Sequence, residues 1–242
     1  MPLTLEACLT NNRSRLLGSW WLDWLLPPRC GSCRALGAWL CDRCRARIRF
    51  LEEPLCPRCG REVEFSGADC GCRGRLRALW RARSVAAYEG PLEEAIHRFK
   101  YDGWRALAPA LAELCVDPLV AEVPLGAGLT AVPLHRRRRR ARGYNQSELL
   151  ATELRRRLGL PRLRGRLTRL RDTPPQVGLD RVRRRANVAA AFAWQGPRLA
   201  GEPVVLLDDV TTTGATLEAC AAALRAGGSG PVLGFTVARV LL

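Results

Sequence analysis

Lysine, histidine and long apolar runs are all scarce in this chain. Of its 242 residues, 39 are lysine or arginine, but Lys100 is the single lysine, and only two residues are histidine. The two histidines, His97 and His135, have no identifiable triad partner, so surface or capping roles are expected for both. No apolar run approaches the roughly 20 residues of a membrane span, and no secretion signal with a small-residue cleavage site precedes the first cysteines. We therefore expect a cytoplasmic protein without a membrane span.

What the chain has in excess is positive charge. Its 39 basic residues exceed its 23 acidic residues, which gives a formal net charge of +16. Such an excess predicts an anionic partner, such as a nucleotide or a nucleic acid. Nearly all of the charge is arginine, however, and alanine, leucine and glycine are also abundant. GC-rich coding bias that merely yields a solvated basic surface therefore remains an alternative.

Cysteine is the other abundant residue, with 11 in the chain. Eight fall in pairs: Cys30 and Cys33, Cys41 and Cys44, Cys56 and Cys59, Cys70 and Cys72. A CxxC turn presents two thiolates to one metal, and two such turns complete a tetrahedral Cys₄ zinc site. Two structural zinc ions are predicted, with redox pairs or disulfides as alternatives. Because Cys70 and Cys72 are one residue closer than in CxxC, the pairs could also be cross-braced.

The remaining cysteines, Cys8, Cys115 and Cys220, fall outside this pattern, and the last two are expected to be core residues.

The residue composition changes along the chain and predicts three segments: an N-terminal helix over 1–26, a zinc module over 27–80 and an α/β domain over 81–242. The first has apolar residues at helical spacing, from Leu16 to Leu25, and ends at two prolines. That helix either packs on the zinc module or offers a membrane-binding or partner-binding face.

Strands and helices alternate in the third segment, which predicts a mostly parallel sheet. Strands are expected over 84–88, 128–132, 163–170, 189–194, 204–207 and 232–239, and helices over 91–99, 104–115, 145–158 and 217–226. A polar loop or short helix is expected over 172–185.

The run from Val204 to Thr216 carries the most chemistry. Four apolar residues predict a buried strand, and Asp208 and Asp209 follow it. The turn Thr-Thr-Thr-Gly-Ala-Thr comes next and leads into a helix. Hydroxyl groups, backbone N–H groups and the positive end of the helix suit a phosphate, whereas the acidic pair suits ribose hydroxyls and hydrated Mg²⁺. The alternative is an ordinary strand–turn–helix with a capping threonine.

This run resembles the phosphoribosyl-diphosphate (PRPP) loop of type I phosphoribosyltransferases. Their loop is a hydrophobic strand, two acidic residues and a turn containing T-G-x-[ST].

Three further segments carry charge or polar groups near predicted strand ends. The first has the basic run 136–140 as a cationic loop and a helix starting near Asn145, which suits a diphosphate or, alternatively, a nucleic acid. The second, 169–187, is a long cationic loop that could close over a ligand or simply lie at the surface. The third, H-R-F-K-Y-D-G over 97–103, retains the single lysine, which hints at a site that needs a compact ammonium group.

Taken in order, these motifs resemble the ComF family. The cysteine pairs are followed by H-R-F-K-Y-D-G, R-A-R-G-Y-N-Q, R-D-T-P-P-Q-V-G-L, R-x-x-N-V-x-x-A-F and the PRPP-type loop. Members of that family join a double zinc ribbon to a phosphoribosyltransferase-like domain and are associated with DNA uptake or less defined nucleotide-linked roles. The resemblance covers residues 27 to the C-terminus, and the Cys70-x-Cys72 spacing departs from it.

The resemblance implies an α/β type I phosphoribosyltransferase fold behind a zinc-ribbon module, and a role for each motif. Catalysis would rest on Asp208 and Asp209, and PRPP binding on Thr211, Thr212, Thr213, Gly214, Ala215 and Thr216. The diphosphate loop would comprise Arg142, Gly143, Tyr144, Asn145, Gln146 and Lys100. The flexible loop would comprise Arg171, Thr173, Gln176, Arg184 and Asn187. Magnesium would accompany PRPP, and the zinc would be structural.

Two functions follow from this interpretation. The first is phosphoribosyl transfer from PRPP to an acceptor that the sequence does not identify. The second is a non-catalytic adaptor of the competence machinery that binds single-stranded DNA through its arginine-rich surface, although Tyr144 is the only aromatic residue within the basic run available for base stacking.

Overall fold

The computed structural model describes residues 27–66, 68, 70–72, 74–171 and 191–241. The predicted N-terminal helix over 1–26, Cys8 and the polar segment 172–185 lie outside these residues. The segment boundaries at 26 and 80 stay predictions.

A four-stranded parallel sheet forms the centre of the described chain. The strands are β1 (Arg81–Ala87), β2 (Gly128–Ala131), β3 (Arg166–Arg169), β4 (Phe192–Gln195), β5 (Val204–Thr211) and β6 (Val232–Arg239). The parallel sheet has the order β1-β6-β5-β2, and β3 pairs with β4 as a separate antiparallel ladder. The predicted α/β class with a mostly parallel sheet is confirmed.

Seven α-helices accompany these strands in the described residues. They are α1 (Asp42–Arg45), α2 (Gly90–Tyr101), α3 (Ala108–Glu113), α4 (Val116–Val120), α5 (Arg136–Arg142), α6 (Gln146–Leu158) and α7 (Ala215–Ala226), and a 3₁₀ turn covers Arg105–Leu107. The helix predicted over 104–115 is therefore divided into two short elements, the 3₁₀ turn and α3. Pro109 lies in the first turn of α3 and cannot donate the backbone hydrogen bond that a continuous helix needs.

The sheet separates two apolar layers. Alternate residues of β5 point to opposite faces, so Val205 and Leu207 pack with α2, α3 and α6, while Val204 and Leu206 pack with α7. Both central strands are buried on both sides, which explains their continuous apolar sequence. The second cysteine cluster belongs to the same layer as α7. The cysteines Cys115 and Cys220 are fully buried core residues, as predicted.

Two expectations about the elements around the site were wrong. The basic run 136–140 is not a loop but most of α5, because arginine is a good helix former and the helix is closed by His135 at its start and Gly143 at its end. Strand β5 extends beyond Leu207 to Thr211, because β6 pairs with it that far, Thr211 opposite Arg239. The acidic pair therefore lies inside the strand.

The cysteine-rich segment is fixed to the α/β body at two places. Its first half docks on α2, where the Arg98 guanidinium donates hydrogen bonds to the carbonyl oxygens of Gly31 and Ser32. Its second half docks on the sheet edge at β1, where Gly60 lies so close that an added Cβ would be 2.5 Å from the Ala82 carbonyl oxygen. No helix in the described ranges combines the length and apolarity that crossing a bilayer requires.

Candidate functional site

The candidate site lies at the carboxyl end of β5. Ligands of open α/β sheets bind at this edge, where loops rather than strands meet the solvent. Here Asp208 and Asp209 lie in the second half of the strand, and a segment we call the threonine loop (residues 211–216) connects the end of β5 with the first turn of α7. A polar recess is lined by Asp208, Val210, the threonine loop and Leu217.

Asp208 is held by hydrogen bonds from a serine hydroxyl and from the backbone. The Ser147 hydroxyl donates to its Oδ1 over 2.8 Å, and the Asp209 N–H donates to the same atom over 3.0 Å. Burial, followed by the neighbouring Asp209 carboxylate, raises the pKa of Asp208 to about 7. The site can therefore gain or lose a proton near neutral pH.

Asp209 is paired with the single lysine of the chain. The Lys100 ammonium lies 2.9 Å from Oδ1 of Asp209, and both side chains are almost buried. Burial alone would lower the pKa of Lys100, but the Asp209 carboxylate more than offsets this and raises it. The ammonium also lies 5.9 Å from the ring centre of Tyr88. The Oδ2 atoms of Asp208 and Asp209 accept no hydrogen bond from any described residue.

Three consecutive backbone N–H groups of the threonine loop have no acceptor within the described residues. The backbone N–H groups of Thr212, Thr213 and Gly214 donate no hydrogen bond there. Gly214 has a φ of 81°, in the left-handed region that favours glycine. Successive free N–H groups at the start of a helix form a concave anion-binding site.

Three of the residues predicted for the diphosphate loop, Tyr144, Asn145 and Gln146, instead hold together the elements around the site. Asn145 caps α6 by accepting from the Ser147 N–H, and its amide donates to the Val132 carbonyl oxygen at the end of β2. The Tyr144 hydroxyl donates to the Phe99 carbonyl oxygen, and the Gln146 amide to that of Lys100 at 3.5 Å. Buried Tyr144 and Gln146 thus fix α6 to α2, whereas Asn145 fixes the start of α6 to the end of β2.

The remaining predicted residues divide into those placed elsewhere and those outside the described ranges. The Arg142 guanidinium lies 5.0 Å from the ring centre of Tyr101, on the outer side of α2. Arg171 is exposed beyond β3. Thr173, Gln176, Arg184 and Asn187 lie outside the described residues.

Sequence reasoning missed Ser147, which contacts Asp208, and Tyr88, which faces Lys100. The capping pattern of Asn145 could have indicated that Ser147 begins a helix at this edge. Nothing in the local sequence around Tyr88 indicates its position, because it depends on how α2 packs. The predicted capping role of His135 is confirmed, since its ring accepts from the Arg137 N–H.

The cysteines form two separate clusters of four. One contains Cys30, Cys33, Cys41 and Cys44, and the other Cys56, Cys59, Cys70 and Cys72, with all four Sγ atoms of each within 4.8 Å of one another. Sulfur–sulfur distances of 3.6 Å between Cys33 and Cys41 and 3.7 Å between Cys56 and Cys72 match the roughly 3.8 Å edge of a ZnS₄ tetrahedron with 2.3 Å Zn–S bonds. The donor sets fit structural zinc, and the pairs are sequential rather than cross-braced.

Backbone donors favour the thiolate form of one ligand in each cluster, Cys30 and Cys56. Burial raises the pKa of Cys30, but hydrogen bonds from backbone N–H groups, beginning with that of Cys41, outweigh it and lower this pKa to about 6. Each zinc ligand must be a thiolate. In the described residues all ten cysteines are free thiols.

We predict that the reduced protein binds two zinc ions per chain, one in each cluster. Replacing one ligand, Cys44→Ser, should remove about one zinc ion, because three thiolates hold the metal far less tightly than four. Cys115→Ala, which changes a core cysteine remote from both clusters, should retain both ions. Elemental analysis after gel filtration measures the ratio, and a full zinc complement in Cys44→Ser would contradict the assignment.

We predict that Asp208→Asn stabilises the protein at alkaline pH. Because the folded-state pKa of Asp208 is raised to about 7, the wild type loses stability as the pH rises from about 4 to 7, and the loss is complete above that range. Asparagine is neutral and keeps the Oδ1 acceptor, so its advantage should grow to about 2 kcal/mol at pH 8.5 and shrink at pH 5.5.

Urea unfolding of zinc-loaded protein at both pH values measures this difference. Asp117→Asn, at an exposed position in α4, controls for the loss of one negative charge. A difference between Asp208→Asn and wild type that does not change with pH would contradict the prediction.

Comparison with known proteins agrees with the geometry of the cysteine clusters. Residues 21–73 match the family model of the double zinc ribbon domain. The DNA utilization protein YhgH of Escherichia coli O157:H7 is 35% identical over 226 residues, which cover 89% of this chain and 99% of that protein.

Two further relatives carry competence names. Competence protein F of Haemophilus influenzae is 34% identical over 77% of this chain and 84% of its own length. Competence protein ComFC of Bacillus subtilis is 30% identical over 83% of this chain and 84% of its own length. The identity and the coverage are sufficient to state that this chain belongs to the ComF family.

Proposed function

We propose that this protein binds PRPP with Mg²⁺ at the carboxyl end of β5 and transfers its phosphoribosyl group to an acceptor. The observation that carries the proposal is the threonine loop, where three successive N–H groups have no acceptor among the described residues. The hydroxyl groups of Thr212 and Thr216 likewise have no partner there. These donors and the start of α7 together suit a 5′-phosphate.

The acidic pair suits the ribose and the metal. The Oδ2 atoms of Asp208 and Asp209, which have no partner among the described residues, are positioned to accept from ribose hydroxyls or from water on a magnesium ion. Hard carboxylate oxygens are what magnesium prefers, and it commonly keeps several of its waters. Bound there, magnesium would supply positive charge to the diphosphate.

The Lys100 ammonium supports the leaving group in this proposal. It stands 2.9 Å from the Asp209 carboxylate, and a diphosphate bound beside the acidic pair would bring a second acceptor within its reach. Lysine presents a compact charge that can turn between acceptors. Arg142, the last residue of α5, and Gly143, which caps that helix, would belong to the predicted diphosphate side. For that, the Arg142 guanidinium would have to leave the ring of Tyr101.

The reaction would be a direct displacement at the anomeric carbon of PRPP. The bond from that carbon to the diphosphate oxygen breaks with its electron pair on the oxygen, and a bond to the acceptor forms. Among the described residues of the recess none is placed as a nucleophile. Positioning and charge stabilisation would therefore carry the catalysis. The predicted closing loop, from Arg171 to Asn187, would exclude water.

We predict that titration calorimetry with Mg²⁺ detects PRPP binding and that Asp209→Asn weakens it about 30- to 150-fold. The substitution removes a charge that faces Lys100 and the metal, and hydrogen bonds to charged groups contribute about 2–3 kcal/mol. Diphosphate release across a panel of nucleobases measures the transfer itself and should be lost in the same variant.

Asp117→Asn is the matched control, because it makes the same chemical change at an exposed site in α4. It should bind PRPP as the wild type does. Wild-type protein that gives no heat with PRPP or with any ribonucleoside monophosphate would overturn the proposed function.

A second candidate function is DNA handling without catalysis. Supporting it are the exposed arginines of α5 and relatives whose names refer to DNA utilization and competence. In that case the protein would serve the DNA-uptake machinery as a single-strand-binding adaptor. Arginines on one exposed helix can follow a phosphate backbone without reading its sequence.

We predict for this candidate that changing Arg136, Arg137 and Arg140 together to glutamine lowers the salt dependence of single-stranded DNA binding. Each lost phosphate contact reduces the slope of log K against log salt by about 0.7, so the triple variant should lose about 2. A matched triple control changes three arginines that line a cavity near the amino ends of β2 and β5, namely Arg162, Arg164 and Arg198. If Asp209→Asn also abolished the binding of single-stranded DNA, this would argue against the adaptor.

We propose a cytoplasmic location for either function. Free thiols and zinc thiolates persist in a reducing compartment, and ten free cysteines occur in the described residues.

A further inference from the structure

Glu218 lies in the first turn of α7, just after the threonine loop. It accepts three backbone N–H groups from one short segment, those of Arg77 at 2.6 Å, Ala78 at 2.7 Å and Leu79 at 3.1 Å. Oε1 accepts the first two and Oε2 the third. A single side chain thus satisfies three consecutive donors that would otherwise need water.

The segment that donates to Glu218 continues directly from the second zinc cluster. After the last ligand, Cys72, the chain makes a tight turn in which the Arg75 and Leu76 N–H groups donate to the Cys72 carbonyl oxygen. The Arg58 guanidinium, between the first two ligands of the cluster, donates to the Leu76 carbonyl oxygen at 2.7 Å. Hydrogen bonds at Leu76 therefore tie residues 76–79 to the second ribbon.

The same segment contacts the threonine loop itself. The Leu76 side chain is so close to Gly214 that an added Cβ there would lie 3.3 Å from it. The ribbon is in turn fixed to the sheet, because Arg239 of β6 donates to the Cys59 carbonyl oxygen and Arg83 of β1 to that of Cys56. Ribbon, sheet and threonine loop form one continuous packed unit.

The first ribbon makes no comparable contact with the threonine loop in the described residues. Its polar links run to the other face of the sheet: the Ser32 hydroxyl to Glu94 of α2, and Arg45 to Glu113 of α3 at 3.0 Å. The two ribbons therefore offer a matched comparison, with a glutamate linking each of them to the α/β body.

We propose that Glu218 is a positioning residue that couples the fold of the second zinc ribbon to the threonine loop. Through its three hydrogen bonds it fixes the start of α7, and with it the N–H groups that bind phosphate. The identity of the ligand, a phosphorylated ribose, rests on the proposed function. The coupling between the second ribbon and the threonine loop does not depend on that function.

Electrostatics and positioning predict opposite effects for Glu218→Gln. Removal of a negative charge near a bound phosphate should by itself tighten phosphate binding. The glutamine amide, however, places an NH₂ group against a backbone N–H donor, and a donor that loses its acceptor is costly. We expect positioning to prevail, because the charge is already solvated by three N–H groups.

The experiment uses the full zinc-loaded chain and ribose 5-phosphate with Mg²⁺ as the calorimetric probe. Glu218→Gln should weaken binding about 3- to 10-fold and Glu218→Ala more, whereas Glu113→Gln, the same change at the first ribbon, should leave it unchanged. Hydrogen exchange without ligand provides the second readout. Amides 77–79 and 212–217 should exchange faster in Glu218→Gln and at the wild-type rate in Glu113→Gln.

Binding that is unchanged or tighter in Glu218→Gln, together with unchanged exchange at 212–217, would overturn the proposal. A wild type that binds neither ribose 5-phosphate nor PRPP would refute the proposed function, and hydrogen exchange would still decide the coupling. Glu218→Gln is nearly isosteric, so it keeps the test open even where the alanine variant does not fold.

Discussion

Two adjacent carboxylates in the second half of a buried strand impose the main electrostatic constraint on this fold. Asp208 and Asp209 repel each other in a setting of reduced dielectric constant, and burial with this repulsion raises the pKa of Asp208 to about 7. The Lys100 ammonium, 2.9 Å from Asp209, relieves the repulsion, and for that the last turn of α2 must end beside β5. Tyr144 and Gln146 secure that position by bonding to the backbone of α2.

Zinc takes the place of a conventional core in the cysteine-rich segment. That segment is too short to bury enough apolar surface by itself, and its two Cys₄ clusters supply the missing folding free energy. The second cluster also becomes part of the larger core, since Cys56, Cys59 and Cys72 pack in the same layer as Leu206 and Leu217. The metal-dependent module is thus structurally continuous with the helix that begins the candidate phosphate site.

The candidate phosphate site and the arginine helix occupy neighbouring positions on one edge of the sheet. β2 and β5 are adjacent parallel strands, so the segments that follow them, α5 after β2 and the threonine loop after β5, leave the sheet on the same side. A polyanion on α5 and a phosphorylated sugar at the threonine loop would both be attracted by positive charge on this side of the sheet. The two proposed functions would therefore use neighbouring surfaces of this protein.

The sequence by itself determined the parts that rest on local chemistry. Paired cysteines specify zinc sites, a continuous apolar run specifies a buried parallel strand, and Asn145 specifies a helix start, all within a few residues. Tertiary structure alone decided that β5 carries its acids inside the strand, and which groups meet Asp208, Asp209 and Glu218. Those contacts join residues between 61 and 141 positions apart, and such distant pairs are set by packing and sheet register, which no local pattern encodes.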